Sequence, residues 1–340
     1  KEADWVLQAP YSDKTLMRNH VMYSLSRDIG RYAPRTRFIE LFVVDDRRQP
    51  STRHYRGIYV LTERVEREGD RVDIDKLEPS DDSEPEISGG YLMKRDWDPD
   101  FGAGDWEGTD PNLVTPHYKD ALQIEDPSDL TTKQRNWLRD WLGHFEDVLA
   151  GPDFDDPDTG YAAYIDVDAF IDHMLLVELG RNVDGYVLST WMSKQRDGPL
   201  AMGPIWDYNG ALGNADYFDA WKTAGWHYDN PEFPADNPKG FKWYERLLQD
   251  PEFRARRAER WALHRDGPLS DDAVLVVIDE ARLKLEDAAP TNFERWPVLG
   301  EYVWPNDEGA EKRHTYREEV AYLEDWVVDR MAWLDKAVLP

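Results

Sequence analysis

The stretch from residue 177 to 214, VELGRNVDGYVLSTWMSKQRDGPLAMGPIWDYNGALGN, constrains the fold most, because it sets polar chemistry inside an apolar frame. The apolar run just before it, residues 170–179, has the density of a buried helix and ends at Gly180. Arg181, Asn182 and Asp184 follow in a short turn. Residues 186–192 then read as a strand, 194–198 as a hairpin turn, and 200–206 as a second strand that runs into Asp207. A short turn between strands of similar length brings the start of the first near the end of the second, so Asp184 and Asp207 are expected to approach each other. Two acids placed in this way can hold a metal ion, or divide the roles of base and metal ligand.

Around this stretch the chain supplies strands first and helices later. Tyr11, Ser12 and Asp13 look like a cap for a helix through Gly30, with Leu16, Val21, Met22, Leu25 and Ile29 at helical spacing. Arg18 and Asn19 read more readily as a solvent-facing pair than as functional contacts. Residues 37–44, 55–63 and 89–94 read as strands. Gly57 lies inside the second, where a missing side chain suits a bulge or the close approach of a ligand. Residues 96–128 read as a long irregular loop of the kind that often carries function.

Residues 131–150 form an amphipathic helical pattern, and 165–180 a second helix capped by Asp166 or Asp168. The acidic loop 153–159 lacks the central Gly and terminal Glu of a calcium loop and reads as a solvated turn. Helices are expected at 242–249, 251–264, 271–288 and 311–339, with Pro251 at a start and Ser270 at a cap. The expected class is α+β, with a sheet region at 1–128 and a mainly helical region at 129–340 that holds the central hairpin.

Composition removes several function classes. With 340 residues, 41 % of them hydrophobic, and 15 Trp, the chain can bury one large core or two. Cysteine is absent, which excludes disulfides, thiolate catalysis and Cys-ligated zinc. A formal charge of −28 disfavours nucleic acid and anionic membranes. Its plain reading is a solvated surface, with cation binding or a basic protein partner as the other. No apolar run reaches the roughly 18 residues of a membrane span, so a soluble monomer is expected. The first ten residues, KEADWVLQAP, lack the basic start and apolar core of a signal segment, and localisation is not legible there. Neither Gly-x-Ser-x-Gly nor His-Glu-x-x-His occurs, and His173 reads as a satisfied core residue.

Phosphoryl transfer fits what remains. It needs a cation to bridge phosphates, a carboxylate to orient or deprotonate the acceptor hydroxyl, and a lysine to hold the phosphates. Asp207 suits the metal and Asp184 the base, with Asn182, Ser189 and Asn209 as neutral oxygen donors nearby. Magnesium accepts one or two carboxylates plus nucleotide oxygens. Lys94 ends a strand and is the best placed lysine, and Glu63 ends another where it could orient Lys94. Both aspartates could instead be structural, capping turns and accepting backbone amides.

The succession RNVDGYVLST, GPIWDYNGALGNADY, WYERLLQDPEFRARRAERW, RWPVLG and DRMAWLD resembles the CotH kinase-like proteins, named for a bacterial spore-coat protein. Upstream, DKTLMRN, YRGIYVLTERV and GGYLMKRD match the family's opening, sheet and lysine-strand patterns in the right order. The resemblance implies an atypical protein-kinase fold, with a sheet lobe and a helical lobe enclosing ATP and divalent cations. Relatives phosphorylate serines of other proteins, notably coat components, and some fungal relatives are surface adhesins.

By position the resemblance makes Asp184 the catalytic-loop acid within Asn-x-Asp, beside Asn182. Asp207 becomes the metal-binding Trp-Asp acid, and Lys94 the nucleotide-binding lysine, with Glu63 and Arg18 as further nucleotide contacts. Asn209 stands where many relatives carry a second Asp, and Ser189 where protein kinases place a metal-binding Asn. Both departures weaken the expectation of a second cation.

The resulting expectation is an ATP- and Mg²⁺-dependent Ser/Thr protein kinase, with Mn²⁺ or Ca²⁺ as alternative ions. Its partner would be a protein, basic or Ser-rich, and its location secreted, cell-surface or coat-associated. The alternatives are a kinase-fold transferase of AMP or an amino acid, and a non-catalytic surface scaffold or adhesin. A glycosidase, which also needs paired carboxylates, fits the motif order less well.

Overall fold

A computed structural model describes residues 4–44, 49–96, 112–230 and 242–339. Strands β1 (Trp5–Gln8), β2 (Thr36–Phe42) and β3 (Tyr55–Glu63) form an antiparallel sheet of order β1-β3-β2. Ile58 of β3 enters the main core together with Val21, Met22 and Leu25 of helix α1 (Arg18–Asp28). β1 was not expected from the sequence, because its four residues are too short for a clear alternation.

Gly57 has φ +108°, and a Cβ there would lie 2.8 Å from both Asn292 Oδ1 and Trp296 Nε1. The register shifts at Leu41/Phe42, opposite it. Gly57 therefore serves a bulge and the close approach of the protein's own side chains, where a ligand was the other reading.

The second sheet contains β4 (Tyr91–Arg95), β5 (Asn112–Val114), β6 (Ala121–Asp126), β7 (Thr190–Lys194) and β8 (Leu200–Ile205), in order β5-β6-β4-β7-β8. All pairs are antiparallel. β5 and β6 correct the reading of 96–128 as irregular; residues 97–111 of that stretch lie outside the described residues. The central hairpin continues the sheet begun by β4, so one sheet spans the expected boundary at residue 128/129.

The first hairpin strand starts later than expected, at Thr190. Residues 181–189 coil as turns because Val187 N–H and Leu188 N–H both donate to the carbonyl of Asp184, at 2.8 Å each. Val183, Tyr186 and Leu188 are buried from this turn without a strand's alternation. Lys194, expected in the turn, closes β7 and is buried, donating to the carbonyl of Ser88 at 2.7 Å.

The helices follow their caps. Helix α2 (Thr132–Ala150) starts with a capping box between Thr131 and Gln134 and buries Leu138, Leu142, Phe145 and Leu149. In α3 (Val167–Gly180) the Asp166 side chain accepts from Ala169 N–H at 2.9 Å, and every residue from Ala169 to Gly180 is buried. α4 (Lys242–Leu247), α5 (Pro251–Arg265, capped by Asp250), α6 (Asp271–Leu285, capped by Ser270) and α7 (Ala289–Arg295) follow. α8 (Tyr316–Val338) closes the chain behind a Thr315–Glu318 capping box. No helix among the described residues is long and apolar enough to cross a membrane. His173 is a satisfied core residue, its Nδ1 2.9 Å from the Tyr244 hydroxyl.

α1 begins only at Arg18, because Asp13 folds the preceding residues into a turn. Its carboxylate accepts from Thr15 N–H at 3.1 Å and from Arg18 N–H at 2.8 Å. Arg18 and Asn19, read as solvent-facing, are buried. Arg18 pairs with Asp13 at 2.5 Å, and Asn19 Oδ1 accepts from Tyr208 N–H at 2.6 Å.

At the centre, Glu178 of α3 is fully buried and ion-paired to the fully buried Arg330 of α8 at 3.2 Å. The same carboxylate accepts from Tyr186 OH at 2.9 Å, His227 N–H at 2.7 Å and Tyr228 N–H at 3.1 Å. Arg330→Ala is expected to cost about 3–5 kcal/mol, the usual penalty for stranding one buried charge, read from denaturant unfolding. Removing both charges, as Arg330→Met with Glu178→Leu, is expected not to restore stability, because two buried amides then lose their acceptor.

Candidate active site

The site grows from the end of α3. Arg181 leaves the helix in the left-handed region at φ 46°, and its guanidinium binds the carbonyls of Ala224 at 2.6 Å and Gly225 at 2.8 Å. Gly185 then lets the chain lie against the helix; a Cβ there would fall 2.6 Å from Val177 Cγ1. The buried Asn182 laces the two acidic segments together, accepting from Asp184 N–H at 3.4 Å and donating to the carbonyl of Asp207 at 3.3 Å.

Across the sheet Arg95 is paired with Thr190 and Thr190 with Ile205. Three strands thus finish in one row, and Asp184, Asp96 and Asp207 all issue near that end. Asp207 has φ 59° and Ser189 φ 50°, a conformation that costs a non-glycine residue free energy and gathers at functional sites. The amide of Asp207 is fixed by the hydroxyl of Tyr23 at 3.1 Å.

Charge couples these three acids. Burial, then Asp207 and then Asp96, pushes the Asp184 carboxyl up to about 6. Burial and then Asp96 also raise Asp207. The Tyr217 hydroxyl is raised by burial and next by Asp184 and Asp207, so it borders the same acids. Among the described residues neither Asp184 nor Asp207 has a cationic partner. Two half-buried carboxylates without a counter-charge are destabilised in their ionised form, and a cation between them would relieve that.

The donor set fits a hard cation: two carboxylates, with Asn209 and Ser189 half-buried in the same segments. Among the described residues no three His, Cys, Asp or Glu side chains group closely enough to hold an ion on their own. A cation here would take its remaining oxygens from phosphates and water.

Lys94 stands on the neighbouring strand. Its ammonium lies 2.9 Å from Glu125 and 3.4 Å from Asp96, and 5.4 Å from the centre of the Trp191 ring. Glu125 was missed because it lies in the stretch read as loop, although ALQIED alternates as a strand should. Asp96 was missed because it was counted with that loop. Its signal was the position two residues after Lys94.

Glu63 does not orient Lys94. It lies in the other sheet, where its carboxylate accepts from Arg35 Nε at 2.8 Å and Arg35 N–H at 2.9 Å. Arg18 is likewise a structural bolt, buried against Asp13 and facing the carbonyl of Leu212 at 3.4 Å, and no nucleotide can reach it.

A cavity of about 260 Å³ opens at the edge of β8. Ser193 and Ala201 line it from the sheet, Tyr32 and Ile74 from the loops, and Leu176 from α3. The register pairs Ser193 with Leu92 and with Ala201, and Lys94 with Trp191, so the cavity shares a sheet face with Lys94.

A family model described as CotH kinase protein matches residues 2–334. Among curated proteins none matches the chain. The family match covers nearly the whole sequence, strands, hairpin and helices alike, and the protein is accordingly a member of the CotH kinase family.

Proposed function

We propose that the protein is an ATP- and divalent-cation-dependent kinase that transfers the γ-phosphoryl group to a Ser or Thr hydroxyl of another protein. The observation that supports this best is the mutual electrostatic reach of two half-buried aspartates that have no cationic partner among the described residues. In this reading the regions 1–128 and 129–340 act as the two lobes of a kinase-like arrangement, joined here through a shared sheet.

Magnesium, when bound, supplies the positive charge that offsets the phosphates. Asp207 would hold it, with Asn209 and Ser189 offering neutral oxygens; the missing charge at Asn209 favours one tightly held cation over two. Lys94 would bind phosphate oxygens, steadied by Glu125. The cavity beside Ala201 and Ile74 would take the nucleoside. Asp184, with its carboxyl pushed up to about 6, is a base matched to neutral pH. It accepts the proton of the acceptor hydroxyl as that oxygen bonds to the γ-phosphorus and the bond to the bridging oxygen breaks, releasing ADP.

Asp184→Asn and Asp207→Asn are each expected to lower phosphate incorporation into a partner by about 10²–10⁴-fold, with the circular dichroism spectrum unchanged. Incorporation that survives both substitutions, or a mass gain on the partner other than phosphate, overturns the assignment.

The pH dependence has a definite sign. A carboxyl raised from 3.8 to about 6 favours folding at acid pH and loses that contribution as pH rises through 6. In EDTA, Asp184→Asn should therefore be more stable than the wild type at pH 7.5, by about 2 kcal/mol, with the gap closing toward pH 4. Added Mg²⁺ should stabilise the wild type more than the variant. Thermal unfolding at the two pH values checks both.

A further inference from the structure

A second cavity, of about 240 Å³, lies between β3 of the first sheet and α7 with the residues that follow it. Leu16, Ile58, Phe293 and Val298 line it together with the rings of Tyr11 and Trp296. Asn292 and Trp296 in its walls are already engaged: Asn292 Oδ1 accepts from Ile58 N–H at 2.9 Å, and Trp296 Nε1 donates to the carbonyl of Arg56 at 2.8 Å. The Tyr11 ring, half exposed, meets Trp296 edge-on with centroids 5.7 Å apart. The interior is therefore apolar and its walls are fixed.

Two guanidiniums meet beside it. Arg56 lines the cavity, and its Nη1 donates to the carbonyl of Tyr55 at 3.2 Å. Nε of Arg295 donates to the same carbonyl at 3.3 Å, and its guanidinium lies over the Trp296 ring, 4.5 Å from the centre. Arg295 is exposed and Arg56 half-buried. Among the described residues neither has a carboxylate within ion-pair distance, although the chain carries 69 Asp and Glu against 41 Lys and Arg. Cations drawn to one carbonyl repel each other, and both keep further N–H groups that a carboxylate can take.

We propose that this cavity is a docking site for an acidic segment of a partner protein: one apolar side chain fills the cavity, and the carboxylates flanking it pair with Arg56 and Arg295. The site is independent of phosphoryl transfer, since no residue of the acidic site takes part in it. The chain's overall negative charge does not forbid such a partner. At about 0.1 M salt, charges more than roughly 10 Å away are largely screened, so the two nearby arginines decide. For the same reason, an acidic peptide held by so acidic a protein is not held by general attraction.

The probe is an unlabelled, end-blocked peptide, Asp-Glu-Phe-Glu-Asp, titrated calorimetrically into the full chain at about 0.1 M salt. Saturable binding is expected. Arg56→Gln with Arg295→Gln should weaken it about three- to tenfold, the worth of two part-exposed ion pairs, with the circular dichroism spectrum unchanged. Replacing the peptide's Phe by Ser should weaken it about tenfold or more, because burial of the ring is lost.

Absence of saturable binding, or equal affinity in wild type and the double variant, overturns the proposal. Self-association of the wild type that the double variant loses also overturns it, because the occupant is then a second copy of this chain.

Discussion

The carboxylate of Glu178 is the point on which the arrangement depends. It lies near the end of the most deeply buried helix and takes hydrogen bonds from three separate parts of the chain: α8 through Arg330, the turn through Tyr186, and the segment at His227 and Tyr228. A charge at full burial is tolerable only when its lone pairs are all used. Here they are used by groups from all three of those parts. The turn that carries Asp184 is thereby tied to the C-terminal helix, and its geometry follows from the core.

Asp184 and Asp207 present the contrary case. They are half-buried, and the charges that act on them are each other's and Asp96's where Glu178 has a guanidinium. The same physical cost that Glu178 avoids is left standing at these two carboxylates. Backbone strain is present there as well, at Arg181, Ser189 and Asp207, all in the left-handed region. Strain and uncompensated charge persist only where the surroundings over-determine them. The laced Asn182, the tightly seated Gly185 and the anchored Arg95 supply that determination.

Much of this was legible in the sequence, and the reasons differ by residue. The helices could be read because their caps are local: Thr131 with Gln134, Asp166, Ser270 and Pro251 each act on amides two or three residues away. The hairpin between Asp184 and Asp207 was legible from its turn residues, even though β7 starts four residues later than its apolar content suggested. Partnerships between distant segments were not legible. Glu63 and Lys94 both end strands, but in different sheets, and nothing local tells a strand which sheet it joins. Arg18 looked solvent-facing because a buried arginine is uncommon, and its partner Asp13 was read as a helix cap. Glu125 was hidden because β6 lies in a turn-rich stretch whose alternation is short.

The pairing of β4 with β7 sets how the site can move. Each of the five residues of β4 is in register with β7, and Lys94 sits directly opposite Trp191. Adjacent strands are held about 4.8 Å apart, so the position of the Lys94 backbone relative to β7 is fixed by a hydrogen-bonded ladder. In a kinase whose lysine and metal-binding acid stand on separable lobes, closure has to bring them together. Here a comparable separation would require breaking that ladder, so the backbone alignment is already present in the ligand-free chain. What remains free is the Lys94 side chain, which has carboxylates on two sides. Any rearrangement at Lys94 is then an exchange of side-chain partners at fixed backbone.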